Sequence, residues 1–123
     1  MARIVAGHTG ATDRLLTLEA LWIAVESGRA VLPGLNMAQF SYVERPTGEA
    51  RQLGLVNGEI LLDYIEQGAA RVVVLTELDW DLLQETGYAG PIRAALAGGY
   101  ALLLERDQFG QHAGQVFVYQ RLH

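Results

Sequence analysis

Residues 70–83 read ARVVVLTELDWDLL, and the unbroken run Val72, Val73, Val74, Leu75 decides the fold. β-Branched and aliphatic residues at four successive positions suit a strand covered on both faces, which belongs at the centre of a sheet. Thr76, Glu77, Asp79 and Asp81 follow at once. Polar groups therefore gather beyond the carboxyl end of the strand, where open α/β sheets bind their ligands. A structural reading fits the same residues. Asp79 can cap a helix whose apolar face carries Leu78, Leu82 and Leu83, with Trp80 covering a rim, because acids in a first helical turn are favoured by the macrodipole alone.

Outward from this run, further strand–helix units appear. Upstream, Arg14 to Leu18 reads as a short strand, and Glu19 to Ser27 as a helix with Leu21, Trp22 and Val25 at helical spacing. Gly28 stands where a left-handed C-cap belongs. Ala30 to Leu32 is a second strand, stopped by Pro33-Gly34. LNMAQFSYVERP then mixes Met37, Phe40 and Tyr42 with polar residues and reads as an ordered loop pinned by its aromatics. A short helix starts at Thr47, and Asn57 is placed to cap a helix carrying Ile60, Leu61, Tyr64 and Ile65. Gly68 ends it. Downstream, Leu78 to Glu85 is helical, Pro91 to Ala97 forms another helix ended by Gly98-Gly99, and Tyr100 to Glu105 is a strand. A glycine-rich connector leads to Gln115–Gln120, whose alternation predicts an antiparallel hairpin closing one edge. The expected fold class is α/β: a small three-layer Rossmann-like sheet, mostly parallel, with an antiparallel C-terminal edge hairpin. Residues 1–13 read as a flexible lead-in, and 14–123 as a single α/β domain.

A chain of 123 residues fits one core, burying about two-thirds of its unfolded surface. No apolar run approaches the roughly 18 residues of a membrane helix, and the start, MARIVAGHTGATDR, lacks the apolar centre of a signal peptide. The formal charge is −5, which argues against nucleic acid as a partner. All nine basic residues are Arg, dispersed singly along the sequence, so no Lys is present for a Schiff base or a Walker motif. With no Cys there is neither a disulfide nor a thiolate, and the sequence calls for no cofactor. GHTGATD lacks the Lys-Ser/Thr ending of a phosphate loop. His8, His112 and His123 show no ligand spacing, and Ser27 and Ser41 sit in no nucleophile elbow. Glu77 with Asp79, or Asp79 with Asp81, could perform acid–base work, but neighbouring acids on a turn specify no reaction.

The segments LTLEALWIAVESGRAVLPGL, MAQFSYVE, EARQLGLVNGEILLDYIE, VVVLTELDWDLL and the final FGQ with VFVYQR resemble, in order and spacing, one family. It is the soluble C-terminal region of bacterial multi-spanning membrane glycosyltransferases, similar to the dolichyl-phosphate-mannose protein mannosyltransferases. The likeness spans about residues 14–121 and is most specific at Gly28–Leu35, Phe40–Tyr42 and Phe109–Gln111. It implies that the chemistry, transfer from a polyprenyl-phosphate sugar, belongs to a membrane half that this chain does not contain, and no catalytic residue carries over. The implied role is an extracytoplasmic accessory domain, non-catalytic in isolation, that positions the acceptor. Its implied partners are the transmembrane half and a carbohydrate or lipid-linked sugar.

The alternative from the residues alone is a free-standing α/β module binding a nucleotide or sugar at the strand ends. Either reading places a ligand at one rim, with Glu77 and Asp79 as hydroxyl acceptors and Phe40, Tyr42 and Trp80 as stacking faces. No metal site is expected.

Overall fold

The computed structural model describes residues 2–107 and 115–122. The chain runs α1 (Ala2–Gly7), β1 (Arg14–Thr17), α2 (Leu21–Ser27), β2 (Ala30–Val31), a 3-10 turn (Ala38–Ser41), α3 (Thr47–Gln52), α4 (Gly58–Glu66), β3 (Val72–Thr76), α5 (Glu77–Thr86), α6 (Ala89–Gly99), β4 (Tyr100–Asp107) and β5 (Gln115–Arg121). The strands form one sheet in the order β2-β1-β3-β5-β4. β1, β2 and β3 are parallel, and β5 is antiparallel to both of its neighbours.

β3 is the middle strand, and every residue from Val72 to Thr76 is buried. Successive side chains point to opposite faces, so both faces of β3 are covered, as the unbroken aliphatic run requires. The C-terminal hairpin does occupy one edge. Within it β5 takes the inner place against β3, and β4 forms the outer strand, with a register shift between Leu102 and Leu104. Tyr100–Asp107 thus runs the same way as β3 without pairing to it.

Two local expectations change. Residues 2–7, inside the segment read as a lead-in, form a helix whose Val5 is fully buried in the core. Arg29 ties this helix down, donating from Nε to Thr9 Oγ1 at 2.8 Å and from Nη2 to the Ala6 and Thr9 carbonyls. In α2 the buried face is Ile23 and Ala24, whereas Trp22 and Val25 turn outward, Val25 to 74 % exposure. The inward face of α2 is therefore not the Trp22–Val25 stripe that the spacing predicts. Elsewhere the caps agree with the spacing. Gly28 is left-handed at φ 70°, Asn57 Oδ1 accepts from Ile60 N–H at 2.9 Å, and Pro91 lies in the first turn of α6, where its missing N–H costs nothing.

Register also gathers residues that are far apart in sequence. Leu15 pairs with Val72 and Val72 with Gln120, so Arg14, Arg71 and Arg121 lie side by side at the end of the sheet where β1 and β3 begin. Among the described residues no helix is long and apolar enough to cross a membrane. The FGQ at Phe109–Gln111, the rest of the glycine-rich connector with His112, and His123 lie outside the described residues.

Candidate functional site

The order β2-β1-β3 reverses direction between β1 and β3, and the carboxyl ends of those two strands make the crevice where α/β sheets bind ligands. Thr17 ends β1 and Thr76 ends β3. α5 starts there, directing the positive end of its dipole and its free N–H groups into the crevice. In ligand-binding members of this architecture those groups receive an anion from outside. Here the protein's own Asp79 carboxylate occupies the helix start, accepting from the N–H groups of the cap residue Thr76 and of Glu19.

Thr76 and Asp79 form a reciprocal capping box. Asp79 N–H donates to Thr76 Oγ1 at 3.2 Å, and Thr76 N–H donates to Asp79 Oδ2 at 3.0 Å. The other carboxylate oxygen, Oδ1, accepts from Glu19 N–H across the crevice at 3.2 Å. Asp79 is 2 % exposed. Its carboxylate therefore both caps α5 and bridges the ends of β1 and β3. Burial pushes its pKa up to about 6, against the lowering effect of the two backbone N–H bonds.

The remaining expected residues disperse. Glu77 is exposed and its Oε2 accepts from Gln115 N–H at 3.2 Å, pinning the start of β5. Trp80 is buried, with the Arg93 guanidinium 4.2 Å above its ring centroid. Tyr42 is buried at the other end of α5. Its hydroxyl lies 2.7 Å from Thr86 Oγ1, nine positions beyond Glu77 and so roughly 13 Å away along the helix. Only Phe40, 71 % exposed near the also outward Met37, stands free to meet a ligand. The expected rim of Glu77, Asp79, Trp80, Phe40 and Tyr42 is thus not one constellation. Asp79 and Trp80 face inward at one end of α5, and Tyr42 faces inward at the other.

Tyr42 instead lines a cleft of about 260 Å³ together with Glu44, Arg45, Asn57, Thr86 and Tyr88. Its floor is built from loop 41–46, whose backbone joins residue 56 through Val43 N–H to Val56 O and Val56 N–H to Ser41 O, both 2.9 Å. Burial raises the Tyr42 phenol above its ordinary value, and the Thr86 hydrogen bond opposes this. The cleft offers a phenol ring and mixed polar groups at a scale close to one sugar ring. Sequence reasoning missed Tyr88 and Thr86. Their signal was weak, since both sit in what reads as a connecting turn. Among the described residues no group of three or more His, Cys, Asp or Glu is placed to hold a metal.

The chain was compared with protein-family models, curated proteins and solved structures, and none matches.

Proposed function

We propose that this chain is a non-catalytic accessory domain that positions a carbohydrate-bearing acceptor for a membrane glycosyltransferase using a polyprenyl-phosphate sugar. The observation that carries this reading is Asp79. The Asp79 carboxylate at the switch point is spent on closing it, through bonds to Thr76 N–H and Glu19 N–H, so the position where this architecture usually receives a ligand holds the protein's own side chain. The sequence resemblance supplies the parent class. Outward-facing Val25, Met37 and Phe40 fit a domain that works against a larger neighbour, which in this reading is the transmembrane half on the extracytoplasmic face. The same reading takes the sheet as a small three-layer Rossmann-like unit, supported by the order β2-β1-β3 and by coverage of both faces of β3.

The test combines a transfer assay with an amide chemical-shift titration of the chain. Incubation with a polyprenyl-phosphate sugar and an acceptor peptide gives no transfer, and acceptor glycans shift amides of residues 40–45 and 86–88. Turnover that Asp79→Asn abolishes would overturn the reading and make the strand ends an active site. Shifts confined to residues 17–19 and 76–80 on adding a nucleotide would establish the free-standing ligand module instead.

A further inference from the structure

We propose that Arg14, Arg71 and Arg121 form a binding edge for a phosphate or diphosphate group. They lie at the opposite end of the strands from Asp79, and the inference stands on strand register, independently of the accessory-domain reading. Arg14 opens β1, Arg71 immediately precedes β3, and Arg121 ends the antiparallel β5 between β3 and β4. Backbone bonds lock the row. Arg71 N–H donates to Arg14 O at 3.1 Å, and Arg121 N–H donates to Arg71 O at 3.0 Å. Adjacent strands are about 4.8 Å apart, so three guanidinium-bearing residues enter within roughly 10 Å of sheet edge.

In a chain whose formal charge is −5, a third of the nine arginines converge here. Like charges held at neighbouring ladder positions repel one another unless something answers them. Among the described residues no ion pair joins any of these three arginines to a carboxylate. Arg121 gives Nη1 to the Gly68 carbonyl, which follows the C-terminus of α4, while its Nε is buried with no partner among the described residues. The helix end accounts for one bond of one arginine. Arg14 and Arg71 make no side-chain hydrogen bond among the described residues. Beside Arg121 a cleft of about 250 Å³ opens between Gln67, Gly68, Gly99 and Tyr100, with Glu66 at its border. On the Arg14 side, burial raises the Tyr64 phenol, the nearby Arg51 and Arg14 guanidiniums lower it and the Asp63 carboxylate raises it, so Arg51 adds a fourth cation to this end of the molecule and Asp63 an acid.

The arrangement suits tetrahedral oxyanions. Guanidinium forks bind phosphate oxygens in bidentate pairs, and neighbouring forks can share one phosphate or hold the two phosphates of a diphosphate. Carboxylates have fewer oxygens to satisfy three forks. The phosphate could be soluble or be carried by a lipid headgroup, and the experiment separates these.

The ¹⁵N-labelled chain is titrated with sodium pyrophosphate at low and high salt, and sedimented with phosphatidylcholine vesicles with and without phosphatidic acid. Pyrophosphate is expected to shift, saturably and with salt sensitivity, the amides around residues 14, 71, 99 and 121. The paired variant Arg14→Gln/Arg71→Gln should weaken binding roughly tenfold or more, the loss expected from two charge-assisted contacts. The control Arg3→Gln/Arg106→Gln, which removes the same charge from two exposed arginines elsewhere, should leave it unchanged. Binding to pyrophosphate alone identifies a soluble ligand. Sedimentation with phosphatidic acid vesicles, lost in the paired variant, identifies a headgroup. Neither form of binding, equal weakening in both variants, or wild-type shifts spread over all arginines overturns the proposal, and the wild-type map decides even if the paired variant does not fold.

Discussion

Asp79 is held between opposing influences that can be read out as pH dependence. Burial raises its carboxyl to about 6 from an ordinary 3.8. Between those values the folded protein holds a proton that the unfolded chain has lost, so stability falls as pH rises through this window. The contribution is complete below about 4, is gone above about 6, and amounts to a few kcal/mol at most. Relative to Asp79→Asn, the wild type should therefore gain stability between pH 7 and pH 5 in urea melts. A difference that stays flat with pH would show the carboxylate to be held ionised throughout. Thr17 presents a simpler case. It is fully buried and its Oγ1 has no hydrogen-bond partner among the described residues. Thr17→Val keeps the branched shape and removes an unanswered hydroxyl, so stability should be unchanged or rise by about 1 kcal/mol. A loss of that size would reveal a hidden acceptor. At this scale the cap was legible, since Thr76 and Asp79 stand at capping-box spacing. The bond to Glu19, 60 positions away, was not, because nothing local encodes it.

Among the elements, α4 shows how a close approach fixes a residue. A Cβ on Gly58 would fall 2.2 Å from the Tyr88 ring, so the start of α4 and the turn after α5 meet only because position 58 has no side chain. Gly58→Ala should lower the melting temperature despite alanine's better helix propensity, by about 1–2 kcal/mol in stability. Adding Tyr88→Ala should recover part of the loss, and strict additivity of the two changes would count against a direct clash. α2 marks the limit of periodicity. Seven residues make barely two turns, and with Trp22, Ile23 and Val25 all apolar the pattern does not say which face turns inward. Packing against β1 and α1 decides it. The loop around Phe40 was legible as ordered, yet the direction of each aromatic was not. Tyr42 buries its ring and keeps a hydroxyl partner in Thr86, while Phe40 has no polar handle and points away.

At the scale of the molecule, β3 is the keel. Val73 is fully buried at the centre of a doubly covered strand, so Val73→Asp should cost several kcal/mol of a total of roughly 5 to 15 and leave no cooperative transition. A soluble variant that still melts cooperatively would disprove this. The central strand and the edge hairpin were legible because they rest on runs and alternation. The row of arginines was not, because positions 14, 71 and 121 become neighbours only through register between strands that hardly constrain one another locally. The place of β5 has a consequence for how the protein is made. Because this strand lies between β3 and β4, a ribosome that has released everything up to β4 has delivered two separate pieces of sheet with no hydrogen-bonded seam. The flank of β3 stays open, a template for any other strand, until the last one arrives. A chain stopped before Gln115 should accordingly aggregate or remain protease-sensitive, and supplying residues 115–122 as a peptide should restore protection if the seam alone is missing. Folding here is an act of closure from the inside, with the final strand serving as the keystone and not as the hem.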